Sequence, residues 1–350
     1  MDYLSSKLKK TLLARRKLLK LALIGSTGVI SAFLGQKLAL SRADLLTSRF
    51  RKKEFDTFPE PPRGTILRRS EFEVITVNER GREIRSDRHE SEYFKEELSR
   101  NVSLAMVAIP GGTFTMGASE LESDIDRERP QHEVEVPPFF MSKLPITQAQ
   151  WREVANNYPR SRRDLDPTPS TFIGDNLPVE GVSWGDAIEF CRRISRETRH
   201  KYRLPSVAEW EYACRAGTET PFYFGETITS DLANYMGDRV YAEEESGEFR
   251  NRTTKVGIFP PNAFGLYDMH GQVWEWCEDM WYPNYYRSPK NGAARTPETD
   301  RRLDDTRSVL RGGAWESSPL RCRSAYRTRD ERDSRSKIYG FRVVCEAEEG

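Results

Sequence analysis

Beyond Gly217 the sequence loses its regular period: as far as residue 346 no helical stripe survives, and Gly, Pro, Asn and aromatic residues separate only short β-forming runs. So long a stretch without regular patterning cannot rest on backbone ladders alone, so its loops must be held by side chains, metals or both. The 7 Trp and 14 Tyr supply the means, because buried indoles and phenols provide apolar area that short strands lack.

Regular elements concentrate before that point. The run 106–117 (MVAIPGGTFTMG) reads as a strand, a glycine turn and a second strand, the logic of a hairpin. Another strand is expected over 134–141. Amphipathic helices are expected at 147–155, capped by Thr147; at 183–196, capped by Ser183 with Asp186 in the first turn; and at 206–216, where Ser206 and Glu209 form a capping box. The mixture is α+β.

The N-terminal segment has a different character. Residues 7–20 are strongly basic and end in RRKLLK, after which 21–34 carry no charge. A charged region before an apolar run of about 7–15 residues is the layout of an export signal rather than of a full membrane span. Arg15 and Arg16 resemble a twin-arginine signal, which implies export of a folded protein. With no small-x-small cleavage motif clear near 38–43, a membrane tether through residues 15–36 is the alternative. The chain thus divides into a signal-like or anchor segment (1–40), a charged linker (41–100) and a folded domain (101–347). The linker carries Pro59, Pro61 and Pro62, a short strand at 72–77 and a helical turn or two at 91–98. The expected location is exported, periplasmic or extracytoplasmic, or membrane-anchored.

The 55 basic and 54 acidic residues nearly cancel, so no nucleic-acid partner is expected. The 5 cysteines, Cys191, Cys214, Cys277, Cys322 and Cys345, include no CxxC pair and argue against structural zinc. Export would permit up to two disulfides.

Several motifs then occur in order: 109–117 (IPGGTFTMG), 145–151 (PITQAQW), 178–187 (PVEGVSWGDA), 203–213 (RLPSVAEWEYA), 262–269 (NAFGLYDM), 273–276 (VWEW), 310–315 (LRGGAW) and 340–344 (GFRVV). Together they resemble the formylglycine-generating, or sulfatase-modifying-factor, family over about residues 104–346. The resemblance implies a C-type-lectin-like fold with little regular secondary structure. Within it, Trp184, Trp210, Trp274 and Trp276 read as core anchors, and Gly312 and Gly313 as a turn with positive φ. Arg203, Glu209 and Arg342 read as buried, paired charges.

Catalytic members of that family oxidise a cysteine of a client sulfatase to formylglycine, with copper(I) held by two cysteine thiolates. The family segment reads Gly-Gly-Ser-Tyr-x-Cys, with the second cysteine five residues after the first. Here 312–322 reads GGAWESSPLRC: Cys322 stands at the second position, Ser317 at the first, and Ala314 replaces the serine. A neutral hydroxyl cannot replace a soft thiolate, so the copper site is not expected and this chain reads as a member lacking the first active-site cysteine. The 4 histidines, His89, His132, His200 and His270, form no paired motif, so an iron centre like that of the related sulfoxide synthases is not expected. Calcium is implied at Asn234 and Tyr235 and at Gln272, Val273 and Glu275, where oxygen ligands suit a hard cation. Some relatives use the fold for binding and vary the segment between the Gly-Gly and Gly-Phe-Arg motifs. That segment, 315–339, is the expected surface for a protein or small ligand, through Trp315, Glu316, Arg321, Arg323, Tyr326 and Arg329. The expectation is an exported or tethered binding module; the alternative is a copper-dependent oxidase acting on a client cysteine.

Overall fold

The computed structural model describes residues 57–301 and 305–347, and the signal-like segment lies outside them. Among the described residues, 120–124 belong to a separate unit, and the rest form one unit.

The helices lie where the caps place them. Helices α1 (Gln148–Asn157), α2 (Trp184–Thr198) and α3 (Val207–Arg215) each begin at a full capping box: Thr147 with Gln150, Ser183 with Asp186, and Ser206 with Glu209. Each box satisfies donors that the first turn would otherwise leave bare.

The strands are β1 (Arg68–Val77), β2 (Glu83–Ser99), β3 (Val102–Ile109), β4 (Gly112–Met116), β5 (His132–Val136), β6 (Phe139–Ser142), β7 (Tyr202–Arg203), β8 (Trp274–Met280), β9 (Arg307–Arg311), β10 (Arg327–Glu331), β11 (Tyr339–Gly340) and β12 (Val344–Glu346). They form a six-stranded sheet in the order β1-β2-β3-β6-β12-β7, a four-stranded sheet in the order β10-β9-β8-β11, and the pair β4-β5. The first sheet is packed on both faces at its centre. Met106 and Ala108 of β3 and Phe140 of β6 join one apolar cluster, while Val107, Ile109, Phe139 and Met141 join the other. Burial on both faces explains why these strands read as continuous apolar runs rather than alternating ones.

Three expectations are corrected here. Much of the stretch read as linker is strand: the whole of β1 pairs with residues 83–93 of β2, and 91–98 continues β2 instead of forming a helical turn. The first half of β2 is solvated on both faces, so no alternation marks it; only Phe94, Glu96 and Leu98 turn inward. The run 106–117 is not a hairpin. Strand β3 pairs with β2 and β6, whereas β4 pairs with β5, and the chain changes sheets at Gly111. A Cβ on Gly111 would lie 2.9 Å from Pro138 Cδ, so this corner requires glycine. Finally, 134–141 is two strands, broken by Pro137 and Pro138, which can donate no ladder hydrogen bond.

Between Gly217 and Val273 the described chain has no named helix or strand, and side chains hold it. Asn262 is fully buried; its Nδ2 donates to the Ala213 and Cys214 carbonyls, and its Oδ1 accepts from Phe264 and Leu266 amides. One amide thereby seals the end of α3 and folds the 262–266 turn. Arg342 is buried against Glu275 at 2.6 Å and also donates to the Ser142 and Tyr267 carbonyls. Arg203 makes a two-armed pair with Glu209 at 2.7 Å. Trp210, Trp274 and Trp276 are buried, and Trp184 is half-buried with its Nε1 donating to the Cys277 carbonyl. All 5 cysteines are free and buried.

Candidate functional site

The segment 312–322 begins with Gly312 and Gly313 at φ 91° and 80°, conformations that side-chain-bearing residues rarely adopt. A Cβ on Gly313 would sit 2.6 Å from Cys322 Sγ, so this glycine lets the thiol pack against the backbone. The turn is tied from within: the Ala314 amide donates to Ser317 Oγ at 2.9 Å, and the Ser317 amide to the Ala314 carbonyl. Pro319–Cys322 then forms a 3-10 turn. Cys322 is buried, and burial pushes its thiol above the ordinary range, as it does for the other four cysteines. His270 donates through Nδ1 to the Cys322 carbonyl and accepts at Nε2 from the Tyr223 amide. Burial lowers its pKa to about 3, so it is a neutral imidazole that fixes the loop.

One thiol beside a hydroxyl already engaged by an amide does not fit copper(I), which needs two thiolates. Nor do the residues expected at calcium make a cradle. Gln272 Oε1 accepts from Asn234 Nδ2 and the Thr254 amide, and its Nε2 donates to Thr254. Glu275 is engaged by Arg342 and by Trp210 Nε1, the Tyr235 hydroxyl donates to the Ile228 carbonyl, and Val273 is buried. Asn234 Oδ1 and Glu275 Oε1 are buried oxygens without a hydrogen bond, but two oxygens are far from the six to eight that calcium takes.

Asp268 lies nearby, at φ 56°, accepting the Gly257 amide at 2.7 Å. Burial raises its pKa to about 6. A carboxyl whose folded pKa exceeds its unfolded one binds more protons when folded, so it destabilises the fold increasingly as pH rises from about 4 to about 6. Asp268→Asn removes that titration without losing the acceptor. Its stability relative to the parent should improve by about 3 kcal/mol between pH 4 and pH 8 in urea titrations. A difference independent of pH would show that Asp268 titrates normally.

The expected ligand surface is only partly displayed. Trp315, Arg323 and Tyr326 are buried, Glu316 is half-buried, and Arg321 and Arg329 are exposed. Arg323 turns inward to Glu128 at 2.9 Å, and Tyr326 lies under Arg127 and Arg323. What the segment presents instead is its later part, where Arg329, Glu331, Asp333, Arg335 and Lys337 are exposed at alternate positions. The run 328–337 (TRDERDSRSK), whose small, acidic and basic residues read in the sequence as a displayed and solvated surface, contains that face.

Arg335, Ser336 and Lys337 form one side of a cleft of about 540 Å³, facing Asp164, Asp166, Pro169 and the start of α2. Asp186, the cap partner of α2, fixes Arg335 at 2.8 and 3.0 Å. Lys337 lies 4.7 Å over the Trp315 ring, which Phe172 and Phe249 flank. Beside the cleft wall, buried Glu180 accepts the Thr171 and Phe172 amides, while its Oε2 has no hydrogen-bond partner. Burial raises its pKa. Sequence reading places Glu180 within the 178–187 motif but gives it no role of its own.

Comparison with known proteins agrees with this architecture. Residues 93–347 match the model of the sulfatase-modifying factor enzyme 1-like domain. The chain is 31% identical over 268 residues to the serine/threonine-protein kinase pkn1 of Chlamydia pneumoniae, a match covering 71% of this chain but 39% of that protein. It is 29% identical to the formylglycine-generating enzyme of Mycobacterium tuberculosis, across 70% of this chain and 99% of the relative. The solved structure of PvdO from Pseudomonas aeruginosa superposes with a TM-score of 0.59 at 31% identity, covering 72% of this chain and 97% of that one. The fold is therefore α+β and C-type-lectin-like.

Proposed function

The chain belongs to the sulfatase-modifying factor enzyme 1-like family, and from that premise we propose that it does not generate formylglycine but binds a protein or small ligand. Ser317 carries the proposal: where two thiolates would be needed, its hydroxyl accepts the Ala314 amide, beside a single buried Cys322. The binding face is the cleft lined by Arg335 and Lys337, both exposed, where Asp186 holds Arg335. The basic and then uncharged N-terminal layout supports action outside the cytoplasm or at a membrane tether. Among the described residues no helix is long and apolar enough to cross a membrane.

The test incubates the full chain with copper(I) and a cysteine-containing sulfatase-motif peptide, read by mass spectrometry beside a two-cysteine relative. No aldehyde is expected from this chain, while the Ala314→Ser/Ser317→Cys variant should acquire copper(I) affinity. Conversion by the parent that disappears in Cys322→Ala would overturn the binding reading in favour of an oxidase.

A further inference from the structure

The four-stranded sheet places Arg327 of β10 directly opposite Arg311 of β9, with both side chains fully buried. Partners opposed in an antiparallel ladder share a face of the sheet, and like charges so placed repel. A buried guanidinium needs a partner for its charge and for its donors. Arg311 has one in Glu211, and its Nη1 donates to the Tyr326 carbonyl, but its Nε is buried without a hydrogen bond. Arg327 is barer still. Its Nε donates to the Arg127 carbonyl, while Nη1 and Nη2 are both buried without partners. Its guanidinium lies 4.3 to 4.7 Å from the ring centres of Trp281, Tyr282 and Tyr285, faces that attract a cation but accept no in-plane N–H well. Tyr285 adds a further unpartnered polar atom, its buried hydroxyl.

Four unpartnered atoms, Arg327 Nη1 and Nη2, Arg311 Nε and Tyr285 Oη, are therefore donors around two neighbouring buried cations. The unpartnered acceptors in the same region are Glu128 Oε2, on a carboxylate already committed to Arg323, and His132 Nε2, whose ring lies 5.2 Å from that of Tyr285. We infer that this interior binds a small monoanion of chloride size, held by the two guanidinium groups and the Tyr285 hydroxyl beneath β9 and β10. The anion offsets the cross-strand repulsion and accepts the donors that no side chain reaches, beside the rings of Trp281, Tyr282 and Tyr285. This site is separate from the cleft, and its Arg311 directly precedes the 312–322 loop.

The test uses the full chain, exchanged into sodium gluconate and returned to chloride or bromide at constant ionic strength. The melting temperature should rise saturably with halide by about 5 °C. Tyr285→Phe keeps the ring over Arg327 and removes only the hydroxyl, and should raise the half-saturating halide concentration about fivefold. Bromide-soaked crystals should give an anomalous peak beside Arg327. Melting indifferent to halide, with water and no anomalous signal at that position, would overturn the inference and assign the donors to solvent.

Discussion

Glu211→Gln should cost the fold about 3–5 kcal/mol, because it breaks a buried charge pair by removing one partner. Glu211 is fully buried and accepts from Arg311 Nη2, Arg215 Nε and the Gly117 amide. Burial by itself would raise its pKa, yet Arg215 and Arg311 outweigh it and hold the carboxylate below its ordinary range. The amide keeps the shape but cancels the charge and turns N–H groups toward guanidinium donors. Arg311 and Arg215 then lose the carboxylate that they share. Urea titration of the variant should show a midpoint lower by about 1 M or more at unchanged slope. A loss under about 1 kcal/mol would mean that Arg311 finds its charge partner elsewhere.

Trp210→Ala should be comparably severe, at about 3–5 kcal/mol. Trp210 is fully buried, donates through Nε1 to Glu275 at 2.7 Å, and carries Arg311 5.1 Å over its ring. Gly312 packs so closely that an added Cβ would lie 3.1 Å from the indole edge. Truncation therefore opens a cavity, strips one donor from Glu275 and loosens the turn that opens the 312–322 segment. A fall in melting temperature of about 10 °C is expected for a domain of this size. Trp210→Phe should lose much less, since it retains most of the packing. Equal losses in the two variants would locate the effect in the Nε1 hydrogen bond rather than in the cavity.

The helices were legible because each rests on local chemistry: Thr147, Ser183 and Ser206 announce the first turn, and the residues three places on confirm it. Strand partnership was not local. Nothing between Met106 and Gly117 tells whether two strands separated by glycine pair with each other or go to different sheets. The paired prolines at 137 and 138 did carry the information that 134–141 breaks, and the two changes of sheet meet there. The 312–322 segment was readable as chemistry, since replacing a thiolate by a hydroxyl is a statement about residue type alone. Its surroundings were not readable. The arginines of 323–327 look like displayed charge until Glu128 and the rings of Trp281, Tyr282 and Tyr285 close over them.

Strand β12 lies between β6 and β7 in the six-stranded sheet, paired with Phe139–Met141 on one side and Tyr202–Arg203 on the other. During synthesis, both neighbours emerge from the ribosome long before Val344 does. Until it arrives each presents an open edge, a template for pairing with any other nascent chain. Closure of the sheet is therefore a late and long-range event, paced by translation rather than by local collapse. A ribosome stalled before codon 344 should hold a chain whose helices have formed but whose central sheet is still divided.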